Sequence, residues 1–124
     1  MTDLDSPCCP VLHVESLAHQ EKAVVHRSIC RNRNGSVTLF AIDDGECIAE
    51  HQSHNEEILL VLDGEIELQL AGTPRYMKKG EYQHIRPHTL HQVRGIRGGK
   101  ILLTILRNPP PRRGSQNTVE ERRQ

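Results

Sequence analysis

The stretch that decides the fold is EHQSHNEEILLVLDGEIELQL, residues 50–70. Its first eight positions crowd His51, His54, Glu56 and Glu57 together. It then runs into the apolar EILLVL, meets Asp63-Gly64, and ends in an alternation. In that alternation Ile66, Leu68 and Leu70 fall on one face and Glu65, Glu67 and Gln69 on the other, the period-2 pattern of a half-buried strand. Asp-Gly between two such runs is a hairpin signal, so this stretch predicts two strands with a turn at Asp63-Gly64. Ligand-type side chains at the lip of an apolar strand need a scaffold that aims them.

Outward from there the same grammar repeats. VVHRSIC, residues 24–30, leads to a hairpin signal at Asn34-Gly35 and on to SVTLFAI, which stops at DDG. ECIAEH precedes the quoted stretch. PRYMK, YQHIR, HQVRG and KILLTILR follow it, punctuated by Gly72, Lys79-Gly80 and Gly98-Gly99. About nine short strands with turn signals every eight to twelve residues predict an all-β sandwich or barrel. No segment sustains a helical period, and VESLAHQEK offers one or two helical turns at most. EILLVL and ILLTIL are apolar on both faces. One face fills the barrel and the other must meet a second sheet or a second subunit, which predicts a homodimer.

The division expected is an N-terminal arm over 1–23, a barrel over 24–107 and a flexible tail over 108–124. The tail, with three consecutive prolines and then charge, has too little apolar surface to order itself.

With 124 residues, one domain with a real core is expected. Sixteen basic residues balance sixteen acidic ones, which argues against a nucleic-acid partner. Phe40, Tyr76 and Tyr82 are the only aromatics, too few for base stacking. No apolar run approaches the roughly 20 residues that cross a bilayer, so no membrane partner is expected. The acidic start lacks the order of a signal peptide, and the expected location is cytoplasmic, with Cys8, Cys9, Cys30 and Cys47 as reduced thiols. Cys8 and Cys9 lack the spacing of a metal clip. Cys47 reads as small core filler.

Five of the eight histidines (His51, His54, His84, His88 and His91) lie between positions 51 and 91. Imidazole and carboxylate together suit iron, zinc, nickel, copper or manganese, and two imidazoles with one carboxylate leave positions open for substrate. GECIAEHQSHNEEILLVLDG resembles the first motif of the cupins, G-x5-H-x-H-x3,4-E-x6-G, with Gly45, His51, Glu57 and Gly64 in register. GEYQHIRPHTLH resembles the second, G-x5-P-x-G-x2-H-x3-N, with Gly80 and His91 in register. The departures are Ser53 at the second histidine, Arg86 at the proline, His88 at the glycine and Gly95 at the asparagine.

The resemblance implies a single-domain cupin jelly-roll barrel of the RmlC-like kind, covering most of residues 35–107. It implies a divalent transition metal on His51, Glu57 and His91. His54, one place past the family's position, joins as a fourth ligand only if the chain bulges there. Gln52 or Ser53 is placed to hold a bound water. His84 and His88 read as exposed. Arg86 binds a carboxylate if its strand face is the interior and is ordinary surface if it is not. Two functions are open to such a barrel. One is a metal-dependent enzyme acting on a small oxygen-bearing substrate, of dioxygenase or isomerase type. The other is a non-catalytic module that binds or senses a small ligand without a functional metal. A third reading, a structural protein working through its apolar outer face, needs none of these histidines.

Overall fold

A computed structural model describes residues 10–109 of the chain. Cys8 and Cys9 and most of the expected tail lie outside the described residues. A single 3-10 turn, Val14–Ser16, precedes seven strands: β1 (Val24–Asn32), β2 (Gly35–Ile42), β3 (Cys47–His51), β4 (Glu56–Leu70), β5 (Thr73–Lys78), β6 (Tyr82–Ile85) and β7 (His91–Leu106). The all-β jelly roll expected from the sequence is the fold observed, and every strand pairing is antiparallel. No described helix is long and apolar enough to cross a membrane.

Two of the expected turns are not turns. Asp63-Gly64 lies inside β4, 15 residues long, and Gly98-Gly99 lies inside β7, 16 residues long. The two strands pair with each other nearly end to end, and the register slips around Asp63 and Glu65. These bulges bend both strands together. Ahead of the bend β4 pairs with β6, and beyond it with β5. The C-terminal half of β7 pairs with β2 and its N-terminal half with β3. The long strands therefore belong to both walls. One wall is β1-β2-β7-β4-β6 and the other is β3-β7-β4-β5.

Gly64 sits at the corner with φ +68, and a Cβ there would stand 2.2 Å from the Arg97 carbonyl oxygen. Only glycine fits a backbone approach that close. The Asp-Gly signal thus marks a real change of direction. β7 continues alongside, so the strand is bent rather than reversed. By contrast, β1 and β2 do form a hairpin, its two-residue turn at Arg33–Asn34, one place ahead of the Asn34-Gly35 signal. Ala71 and Gly72, both with positive φ, make the tight turn from β4 to β5.

The core between the walls is Ile42, Leu59, Val61, Ile66, Leu68, Met77, Ile85, Val93 and Ile101. The alternation read over residues 65–70 holds, with Ile66 and Leu68 fully buried. On its polar face Glu67 is also buried, because the Arg94 side chain covers and pairs with it. The reading of Cys47 as core filler is incorrect. Cys47 is exposed and is the register partner of Arg94, itself the partner of Glu67, so it lies on the outer face of its wall.

Candidate metal centre

The three residues that the motifs single out sit at strand ends on one rim of the barrel. His51 closes β3, Glu57 is the second residue of β4, and His91 opens β7. His51 and His91 are directly paired across β3 and β7, and His91 is paired with Leu70 on its other side. Both imidazoles therefore rise from one wall, on its core face. Glu57 rises from the other wall, between Ile85 and Ile105, on the side occupied by Leu59 and Val61. One ligand-type atom from each of the three lies within 4.8 Å of the others.

Both imidazoles are oriented by the same local device. Nδ1 of His51 is 2.9 Å from the Ala49 carbonyl oxygen, and Nδ1 of His91 is 2.9 Å from the Thr89 carbonyl oxygen. Each ring donates Nδ1–H to the carbonyl two residues before it. That bond fixes the tautomer and leaves an Nε2 lone pair facing the site. The rings lie close, with centroids 4.1 Å apart and planes tilted by 60°.

Glu57 is held by Ser53, whose hydroxyl donates to Oε2 at 3.1 Å and accepts the Asn55 amide. At the position where the family pattern has its second histidine, this chain has an orienting hydroxyl. The Ser53 carbonyl oxygen accepts the His88 amide at 2.7 Å, which ties the loop before β4 to the loop before β7. His88 adopts φ +65 where the family pattern has glycine.

The atoms left over are informative. Glu57 Oε1 and His91 Nε2 are both buried, lie 3.3 Å apart, and have no hydrogen-bond partner. A carboxylate oxygen and an imidazole lone pair repel each other unless a cation lies between them. That cation is either a proton on His91 or a metal. Burial disfavours charge on both groups. Against it, His91 and then Ser53 and His51 hold the Glu57 carboxyl below its ordinary value of 4.5. Glu57 and the Thr89 carbonyl hold His91 above its ordinary 6.5, again against desolvation. Ligands at ~2.0–2.2 Å from one ion sit about 3–4 Å apart, a range in which the 3.3 Å separation of Glu57 Oε1 and His91 Nε2 already falls.

The remaining histidines lie elsewhere. His54 is exposed and borders a surface cleft with Arg33, Asn34, Arg107, Asn108 and Pro109. Its carbonyl accepts the Asn108 side-chain amide at 2.9 Å, and it is not part of the three-residue group. His84 is exposed and pairs with Glu56 on the outer face. His88 and Arg86 are exposed, so Arg86 takes the surface alternative. The orienting roles of Ser53, Ala49 and Thr89 carry no sequence signal, since a serine and two backbone carbonyls acquire those roles only through the local turn.

The chain matches the cupin domain family over residues 38–104, and it belongs to that family. Among solved structures, a conserved Streptococcus pyogenes protein of unknown function superposes with a TM-score of 0.77 at 16% identity, covering 82% of this chain and 90% of that one. A cupin superfamily protein from Desulfitobacterium hafniense gives 0.75 at 19% identity, over 81% and 92% of the two chains. A cupin 2 conserved barrel domain protein from Leptotrichia buccalis gives 0.73 at 26% identity, over 77% of this chain and 46% of that one. No curated protein matches the chain.

Proposed function

We propose that this protein is a metal-dependent cupin enzyme acting on a small oxygen-bearing substrate, with one divalent transition metal held by His51 Nε2, Glu57 Oε1 and His91 Nε2. The observation that carries the reading is the buried, partnerless pair of Glu57 Oε1 and His91 Nε2. Leaving two such atoms unsatisfied costs about 1–3 kcal/mol each, and a shared cation removes that cost. When bound, a metal of this ligand class supplies Lewis acidity and open coordination positions for a substrate oxygen or dioxygen. The protein's own residues supply direction. Thr89 and Ala49 fix the rings, Ser53 fixes the carboxylate, and the apolar core beneath excludes water from one side.

A non-catalytic ligand-binding barrel is the second reading. It is favoured by the 3.3 Å approach of His91 to Glu57, which a single proton also satisfies. Metal analysis of protein purified without an affinity tag separates the two. The enzyme reading expects about one metal ion per chain after reconstitution, lost in His91→Ala. Occupancy that stays far below one and is indifferent to His91→Ala leaves only the binding barrel.

The reading includes a homodimer formed through the outer face of the β1-β2-β7-β4-β6 wall. Ile58 and Tyr82 are exposed there, and Ile29 stands at its edge. Leu12 and Val14 border one apolar cleft of this face together with Leu39, Leu62 and Leu102. Sedimentation equilibrium should show two chains, and Ile58→Glu should shift the protein to one.

A further inference from the structure

Glu57 stands in a row that crosses four strands. Directly paired residues point to the same side of a sheet. The row runs Arg31 on β1, Ser36 on β2, Ile105 on β7 and Glu57 on β4. The next row inward runs Ser28, Thr38, Leu103 and Leu59, and the one after it His26, Phe40, Ile101 and Val61. All three rows share the side of this wall that carries the core residues Leu59, Val61 and Ile101, and at the β1 end, where the wall runs out to its edge, His26, Ser28 and Arg31 are exposed.

At the β4 end the rows are apolar apart from Glu57. At the β1 end they carry a guanidinium, three hydroxyls and an imidazole. These groups line a cavity of about 300 Å³ bounded by His26, Ser28, Arg31, Ser36, Thr38 and Phe40, with Ile105 as the wall nearest Glu57. The imidazole of His26 leans on the Phe40 ring, centroids 5.9 Å apart. Among the described residues no carboxylate pairs with Arg31, and Glu57 is already engaged by Ser53 and His91. Arg31 is exposed like Arg86 but, unlike it, borders this hydroxyl-lined cavity, and a cation at the edge of a cavity without a protein anion is a complement for a ligand anion. The planar guanidinium fork matches a carboxylate in two-point contact. The hydroxyls around it, each both donor and acceptor, match hydroxyl groups on the same molecule. A cavity near the small end of ligand sites suits a compact solute.

From this arrangement we infer that the protein binds a small hydroxylated carboxylate, its carboxylate on Arg31 and its hydroxyls on Ser28, Ser36 and Thr38. The far end of such a molecule lies toward Ile105 and, beyond it, the His51–Glu57–His91 centre. The substrate class thus named rests on the metal-centre reading, whereas the subsite itself does not. Arg31, on the first strand and outside both histidine motifs, takes the role that the sequence left conditional for Arg86.

The test titrates glycerate and gluconate, with glycerol and sorbitol as their neutral counterparts, into metal-reconstituted and metal-stripped protein by calorimetry. Metal content and melting temperature are recorded for each sample. The acids should bind at least about tenfold tighter than the neutral polyols. Arg31→Gln should lose about tenfold in acid affinity, the scale of one charge-assisted contact, with metal content and melting temperature unchanged. Arg31→Lys should recover only part of the loss. Acid binding that persists in stripped protein and still depends on Arg31 supports the subsite even if no metal is retained, so a failed metal centre is told apart from a failed pocket. Equal affinity of the wild-type protein for acids and polyols, no binding of either acid, or acid affinity indifferent to Arg31→Gln each overturns the inference.

Discussion

His91 Nε2 and Glu57 Oε1 lie 3.3 Å apart across the barrel rim, each buried to within a few per cent, and the proton on Nδ1 of His91 is committed to the Thr89 carbonyl. The gap between them has room for one shared cation, and on the proposed metal-centre reading proton and metal compete for it. Everything the rim does with pH follows from that competition.

In the metal-free protein the pair should produce a bell-shaped stability profile. Glu57 is held below its ordinary 4.5, so its contribution is present above that value and is lost as pH falls through the depressed folded value. His91 is held above its ordinary 6.5, so its contribution is full below 6.5 and is lost as pH rises through the raised folded value. The pair is therefore most stabilising between about pH 4.5 and 6.5, and loses stability on either side. With zinc in excess the sign above pH 6.5 reverses. Deprotonating His91 then frees the ligand, and affinity rises by up to about tenfold per pH unit until His91 is fully neutral. Denaturant melts at pH 6 and pH 8, with zinc and with chelator, read this directly. Parallel pH trends in the two samples would remove the shared-cation account.

Ser53→Ala should leave all three ligands in place and still weaken the metal. The Ser53 hydroxyl is the contact that aims Glu57 Oε2, and removing such an orienting partner typically lowers affinity about 10–100-fold. His51→Ala, which removes one of the proposed ligands outright, should be the more severe change. Competition titration with a chromophoric chelator ranks the two. Ser53→Ala indistinguishable from the wild type would show that the β4 backbone alone orients Glu57.

The fold and the three rim residues were legible in the sequence because period-2 alternation and the His51, Glu57 and His91 spacings are local. The corner at Asp63-Gly64 was not, because a bend and a reversal use the same residues. What separates them is whether β7 remains a partner on both sides, and that is a fact about residues some 35 positions away. Cys47 was misread for a related reason. Its flanking alternation gives a period but not which phase faces the core. Arg31 was invisible as a site residue because only the chain of pairings from β1 to β4 puts it in the row of Glu57.

Two positive-φ positions should respond to substitution with opposite signs. At Gly64, φ is +68 and a Cβ would lie 2.2 Å from the Arg97 oxygen and 2.3 Å from the Gly98 oxygen. Both neighbours are backbone, so Gly64→Ala must open the corner shared by β4 and β7. A loss of about 3 kcal/mol or more is expected, from left-handed strain plus the clash. At His88, φ is +65, its side chain is exposed, and the backbone amide is what holds Ser53. Glycine keeps that amide and relieves about 1–2 kcal/mol of left-handed strain, part of which is returned as extra freedom in the unfolded chain. His88→Gly should therefore gain up to about 1 kcal/mol and leave metal affinity intact. Chemical denaturation of both variants beside the wild type gives the two signs. If His88→Gly destabilises the protein or lowers metal affinity, the His88 ring has a role at the rim that its exposed position does not reveal.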